Sequence, residues 1–358
     1  MAATQAQPWI LSRRADLLMF GGTFLLGIAL ILAGALLGIL KSPLPLGAWL
    51  LLVVAVDVTH VHATWLRTYF DLDELRRHPA RYALVPLLAY ALGVWAHSRG
   101  SLTFWRLLAY FAVFHFVRQQ YGWVALYARK EASWQRLDRW LDAGAIYAAT
   151  LWPLLWWHAH LPRRFSWFVA GDFAGPLSQS FVQTTLPLYA ALLLGFAVRQ
   201  CWRWRRERFF PIGKSLVVAT TATAWWVAIV GLDSDWAFTA LNVLPHGIPY
   251  VALVWQRSTG ESPRRGPAGA LLKAGPFAFL ALLLALGYGE EWLWDLGIWH
   301  DHPELFGEGW NLGSTAQALL VPLLALPQAV HYALDGFIWR RGEGPVAAIP
   351  RVTPAPVP

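Results

Sequence analysis

The chain has 358 residues, 57% of them hydrophobic and only 14% charged, with a formal net charge of +8. Its Lys and Arg residues recur in short blocks between apolar runs and do not gather on one basic domain, which excludes a nucleic-acid-binding protein. Apolar runs that approach the roughly 20 residues needed to cross a bilayer define an all-α, polytopic integral membrane protein.

Ten transmembrane helices are predicted, at about 17–40, 46–66, 82–98, 102–128, 141–160, 181–201, 214–232, 235–256, 270–288 and 314–338. The first, Leu17 to Leu40, is longer than a signal-peptide core and lacks a small-residue cleavage site, so it is expected to stay as a span. With the N-terminus inside, the basic blocks Arg13-Arg14, Arg67 to Arg81, Arg129 to Arg139, Arg203 to Lys214, Arg257 to Lys273 and Arg340 to Arg351 all fall on the cytoplasmic side. Lys41, Arg99, Arg106, Arg163 and Arg164 fall outside, with Arg118 and Arg199 in or near the spans. The positive-inside rule therefore gives N-in, C-in, with the bacterial cytoplasmic (inner) membrane as the expected location. Residues 1–341 form one transmembrane domain, and the Pro-rich stretch 342–358 is expected to be a disordered cytoplasmic tail. Gly289 to Gly313, rich in acids and tryptophan, reads as an interfacial outer loop, and most of the 23 tryptophans as membrane-boundary anchors. A lone cysteine, Cys201, excludes a disulfide framework and is given no role.

Four histidines, His60, His115, His246 and His331, lie in spans two, four, eight and ten, which all run from outside to inside in this topology. Their distances to the next basic residue give depths of about 10–21 Å at 1.5 Å per residue, so the four can share one layer near the cytoplasm. Ionisable groups inside a membrane are costly, about 2.5–3.5 kcal/mol on insertion scales for Asp, Lys or Arg, so these imidazoles, with Asp57 and Asp335, require partners or a metal.

Helical spacing puts Asp57, His60 and Thr64 on one face, whereas His62 turns about 200° away from His60 and would ligate a second metal only on an irregular helix. His115, Arg118 and Gln119 share another face. Asn242, His246 and Tyr250 align at steps of four, and Pro245, Gly247 and Pro249 invite a helix break, which at membrane depth lines a cavity or the protein interior. His331 and Asp335 are again four apart, after Pro327 and Gln328. Arg118, Gln119 and Tyr250 are the groups placed to orient a polar substrate end or move protons. His/carboxylate sets suit oxygen-activating iron, one or two ions, with zinc and copper as alternatives. The bland reading makes each histidine an interhelical hydrogen-bond tie. His97, His158, His160, His300 and His302 fall near the outer surface, where ordinary interfacial roles are expected over an accessory metal site, and His78 is expected in solvent.

The segments Leu244-Pro245-His246-Gly247 and Phe114-His115-Phe116, and the His331-to-Asp335 step after Leu326-Pro327, resemble the histidine-bearing helices of the Brp/Blh-type β-carotene dioxygenases. Histidine-rich membrane iron oxygenases such as desaturases and hydroxylases are similar more loosely, since their dense His-x-x-His-His boxes are absent, and His60-Val61-His62 stands outside the resemblance. The resemblance implies an iron-dependent membrane oxygenase acting on a long apolar substrate, with His115, His246 and His331 as ligands. The leading expectation is thus a metal-dependent oxidoreductase embedded in the lipid bilayer, taking an apolar substrate from lipid and drawing on an electron donor where the reaction needs one. Two alternatives are a b-type haem electron-transfer protein, covalent haem being excluded by the lack of Cys-x-x-Cys-His, and a proton-coupled transporter with a His/Asp relay.

Overall fold

The computed structural model describes residues 7–131, 134–260 and 264–339, and all secondary structure among them is helical. Ten long helices follow one another: α1 (Arg13–Leu36), α2 (Leu46–Arg67), α3 (Pro79–Ser98), α4 (Ser101–Ala128), α5 (Arg136–Ala159), α6 (Gln179–Glu207), α7 (Ile212–Gly231), α8 (Asp235–Thr259), α9 (Pro276–Trp299) and α10 (Ser314–Ile338). Seven of these, α1, α2 and α6 to α10, are long and apolar enough to cross a membrane, which makes the chain an integral membrane protein by composition. Helices α3, α4 and α5 occupy the other three predicted spans but are not among these seven. The predicted tail 342–358 and the basic residues Arg340, Arg341 and Arg351 lie outside the described residues.

Helix ends follow polar caps and prolines more closely than they follow apolarity. Ser12 opens α1 by accepting the Ala15 N–H at 3.2 Å, and Ser234 opens α8 by accepting the Ala237 N–H at 3.2 Å. Pro79 and Pro276 begin α3 and α9, where a missing N–H leaves no hydrogen bond unmade. Helix α9 then runs to Trp299, well past its predicted end at 288. Glu290, Trp294 and Asp295 are consequently buried helix residues and not part of an interfacial loop. Some tryptophans serve the interior instead of a surface. Trp123, Trp157 and Trp225 are buried in helix seams, among rings such as Phe20, Phe165 and Phe238.

Helix α8 is the centre of the bundle. Within its most apolar window 78% is buried, against 11% for α6, which lies at the periphery. It packs against α1 and α2, while α9 covers another side of α2, and α10 rests on α3 and α4 and reaches α2. The expected break at Pro245, Gly247 and Pro249 does not occur, and α8 is one continuous α-helix. Each proline removes a single N–H donor, a loss that packed neighbours accommodate without unwinding. The irregular backbone belongs instead to α2, which changes from wide π-type turns over Leu50–Val58 to an α-helix over Thr59–Ala63 and a tight 3-10 turn over Thr64–Arg67.

Two glycines let neighbours close on α2. A Cβ on Gly247 would sit 3.1 Å from the Val56 carbonyl oxygen and 3.4 Å from His60 Cβ, and one on Gly287 would sit 3.2 Å from Thr59 Cα. Gly247→Leu should therefore overpack the α2–α8 seam and cost about 1–3 kcal/mol, read as a lower thermal midpoint in detergent. An unchanged midpoint would contradict so close a seam.

Another end of the bundle is held by charge. Arg203 Nη1 lies 2.6 Å from Glu131, and Lys214 Nζ lies 2.7 Å from Glu131 and 2.9 Å from Asp142, all of them buried. Arg199 pairs with Asp138 at 2.7 Å. Arg203 and Lys214, which count as loop charges in the topology reading, are thus neutralised inside the protein.

Candidate metal centre

His60 from α2, His115 from α4, His246 from α8 and His331 from α10 come together. Each is 4% exposed or less, and one ring nitrogen from each lies within 4.8 Å of those of the others. Ring centroids of neighbouring pairs are 4.5–5.2 Å apart. The expected common layer is present because all four helices carry a histidine at matching height. Their seams then hold the rings in place. His246 stacks on Phe116 at 3.6 Å, Tyr332 stacks on His115 at 4.8 Å, and the Gln119 amide donates to the His246 carbonyl at 2.9 Å.

A hydrogen-bonded chain fixes one ring. Tyr250 donates its hydroxyl to Asp335 Oδ1 at 2.6 Å, the Thr64 and Tyr250 hydroxyls are 2.8 Å apart, and Thr64 Oγ1 is 2.6 Å from His331 Nδ1. With Asp335 ionised, the Tyr250 proton points to the carboxylate, so Thr64 donates to Tyr250 and His331 Nδ1–H donates to Thr64. That tautomer leaves a lone pair on His331 Nε2, which faces His115 Nε2 at 3.1 Å. Spacing had put Thr64 on the His60 face, but its partners come from α8 and α10 and no local pattern signals them. Tyr250→Phe should break the chain and lower metal affinity about 10–100-fold, measured by competition with a chelator.

The other predicted residues divide. Asp57 Oδ1 is 3.7 Å from His60 Nδ1, and Asp335 lies 3.8 Å from His331 Nδ1 and 3.9 Å from His115 Nδ1. Both carboxylates thus stand behind the rings, too far for hydrogen bonds, where their charge offsets that of a cation. Gln119 and Tyr250 adjoin the cluster. Arg118 does not, since it is exposed, bonds the Tyr147 hydroxyl and lies 5.1 Å over the Tyr121 ring. His62 turns away, as its 200° offset requires, and meets Glu290.

The outer histidines do not gather into a site among the described residues. His158 binds the Leu154 carbonyl and Tyr110, His160 the Trp156 carbonyl and His300 the Leu296 carbonyl. His302 packs on Trp49, while His78 lies 3.9 Å from Glu74.

The donor set fits a metal ion. Nitrogen ligands about 2.0–2.1 Å from a tetrahedral ion stand roughly 3.3–3.4 Å apart, a spacing these rings reach by inward movements of about 1 Å or less. Both nitrogens of His60 and both of His246 are buried without a hydrogen-bond partner. A proton shared between His115 and His331 would satisfy that pair and leave the other four nitrogens orphaned. A cation engages all four rings.

The chain matches no protein-family model, no curated protein and no solved structure. Its chemistry is read from its own geometry.

Proposed function

We propose that this protein is a membrane-embedded, iron-dependent oxygenase acting on a long apolar, lipid- or isoprenoid-like substrate. The observation that carries the reading is the convergence of four buried imidazoles, two of them with no other partner for either nitrogen. Imidazole suits iron, zinc and copper, and of these iron is the metal whose histidine sites with open positions serve chemistry with dioxygen. The segmental resemblance to the Brp/Blh-type dioxygenases rests on His115, His246 and His331 and supports the same reading. A b-type haem suits the cluster poorly, because rings this close leave no slot for a macrocycle.

Bound iron would supply the redox chemistry toward oxygen. The chain's own residues do the rest. Thr64, Tyr250 and Asp335 hold His331 in one tautomer and keep a proton at the Tyr250 hydroxyl, within reach of the carboxylate. An apolar cavity of about 390 Å³ lies in the wall formed by α2, α8 and α9, bounded by Thr59, Gly247, Ile248, Phe279 and Leu284. Thr59 and Gly247 are the chain neighbours of His60 and His246, and Leu284 is exposed on the side that faces lipid in this reading. A volume of this size accepts part of an alkyl or isoprenoid chain. Cleavage of a carbon–carbon double bond by dioxygen into two carbonyls balances without a reductant, whereas hydroxylation would need a partner that donates two electrons.

The test is oxygen uptake by detergent-purified, iron-loaded protein given long-chain isoprenoids. Uptake that neither iron nor any such substrate raises above the metal-free protein would sink the reading.

In the membrane we place all ten helices as spans, both ends inside, in a bacterial cytoplasmic membrane, on the charge distribution of the connecting segments. Reporter fusions after Arg208 should then read cytoplasmic, and fusions at Trp299 external. Opposite readouts would invert the histidine layer toward the outer face.

A further inference from the structure

The opposite face of α2 carries a second group of polar side chains that the four-histidine cluster does not use. His62, 3% exposed, has Nε2 3.0 Å from Glu290 Oε2 on α9, yet the contact lacks hydrogen-bond geometry. Both His62 nitrogens, Glu290 Oε2 and Gln328 Oε1 on α10 are buried without a hydrogen-bond partner. The other oxygen of the same carboxylate is fully engaged. Glu290 Oε1 accepts from the Gln328 amide and from Trp294 Nε1 at 3.4 Å, and these hold the carboxylate with Oε2 toward His62. The imidazole is steadied edge-on by Trp65 at 4.8 Å. The close approach of Gly287 to Thr59, three residues before Glu290 and His62 respectively, packs α9 tightly against α2 and leaves the two side chains to meet across the seam.

Four orphaned polar atoms on three neighbouring side chains are expensive to bury, each costing about 1–3 kcal/mol. A ring nitrogen and a carboxylate oxygen 3.0 Å apart, off the hydrogen-bond line, have the spacing of two ligands of one ion, whose edge is roughly 3.2–3.4 Å for bonds of 2.0–2.1 Å. We propose that His62 Nε2 and Glu290 Oε2, with Gln328 Oε1 as a third donor, form a second divalent cation site behind the four-histidine cluster. One nitrogen and two oxygens select a borderline or hard first-row cation such as Mn(II), Fe(II) or Zn(II) over copper(I), which prefers thiolate or thioether sulfur. Helix α2 would then hold two ions back to back, His60 on one side and His62 on the other. This site goes beyond the proposed function and does not depend on it.

The test uses full-length protein in detergent with Mn(II) as the probe, and counts bound metal by mass spectrometry and low-temperature EPR. His62→Ala and Glu290→Gln should each bind about one Mn(II) per chain fewer than wild type, whereas His246→Ala should keep this ion. Glu290→Gln preserves shape and hydrogen bonding, so its loss of metal cannot be charged to misfolding, and a monodisperse elution profile checks this directly. If both variants bind as much Mn(II) as wild type, the proposal is overturned and His62–Glu290 is an interhelical tie. A loss in these variants with none in His246→Ala would uphold this site and show that it fills independently of the four-histidine cluster.

Discussion

Replacing His246 with alanine is expected to strip the protein of its cluster-bound metal, leaving less than about a tenth of the wild-type content of that ion. His246 is the ring with most to lose. It is wholly buried, neither nitrogen has another partner, and it is clamped between Phe116 and the α2 seam at Gly247. Alanine is no less compatible with a buried helix, so α8 should still insert and the variant should still elute as a monodisperse species. His158→Ala makes the control, because that ring is occupied by the Leu154 carbonyl and the Tyr110 hydroxyl and should keep full metal content. Wild-type protein that neither purifies with iron, zinc or copper nor takes any up on reconstitution would leave the four rings as helix ties, and His246→Ala would then alter only thermal stability.

The second large effect concerns charge. Lys214→Met leaves Asp142 without its ammonium partner and Glu131 with Arg203 alone, in a region where all these groups are buried. Uncompensated buried charge of this kind costs about 3–5 kcal/mol, enough to lower the unfolding midpoint in detergent by many degrees. Pairing the change with Asp142→Asn removes the stranded carboxylate, so the double variant should recover a substantial part of the loss. A single-variant cost under about 1 kcal/mol would show that water reaches the network.

The helical class and the four-histidine layer were legible in the sequence because each signal is local. A histidine inside an apolar run is conspicuous, and the rise per residue turns its position into a height. Boundaries failed where polar groups are buried by tertiary partners. Glu290 looks like a loop residue until α2 and α10 supply His62 and Gln328, and Asp295 until its carboxylate accepts from the Asp301 and His302 N–H groups, so α9 extends past its expected end. Arg118 shares the His115 face by spacing, but its long side chain swings outward to Tyr147 on α5, a partner that no spacing rule provides. The prolines of α8 suggested a break, whereas burial among neighbouring helices kept it continuous and the distortion fell in α2, whose sequence contains no proline or glycine beyond Gly47. Thr64 carries its hydroxyl to Tyr250 across 186 residues, a separation at which sequence pattern is silent.

The cluster draws its rings from α2, α4, α8 and α10, so its fourth ring lies on the last of the ten described helices in chain order. During synthesis the nascent chain owns only three of the four imidazoles until α10 emerges. A chain stopped at residue 313 should insert and yet hold no cluster metal tightly. On the proposed reading, capture of the ion would follow insertion and wait until α10 has docked against α3 and α4. The cell would then have to deliver the metal to a finished bundle through whatever opening remains between helices, since no earlier stage of biogenesis would offer a complete set of ligands.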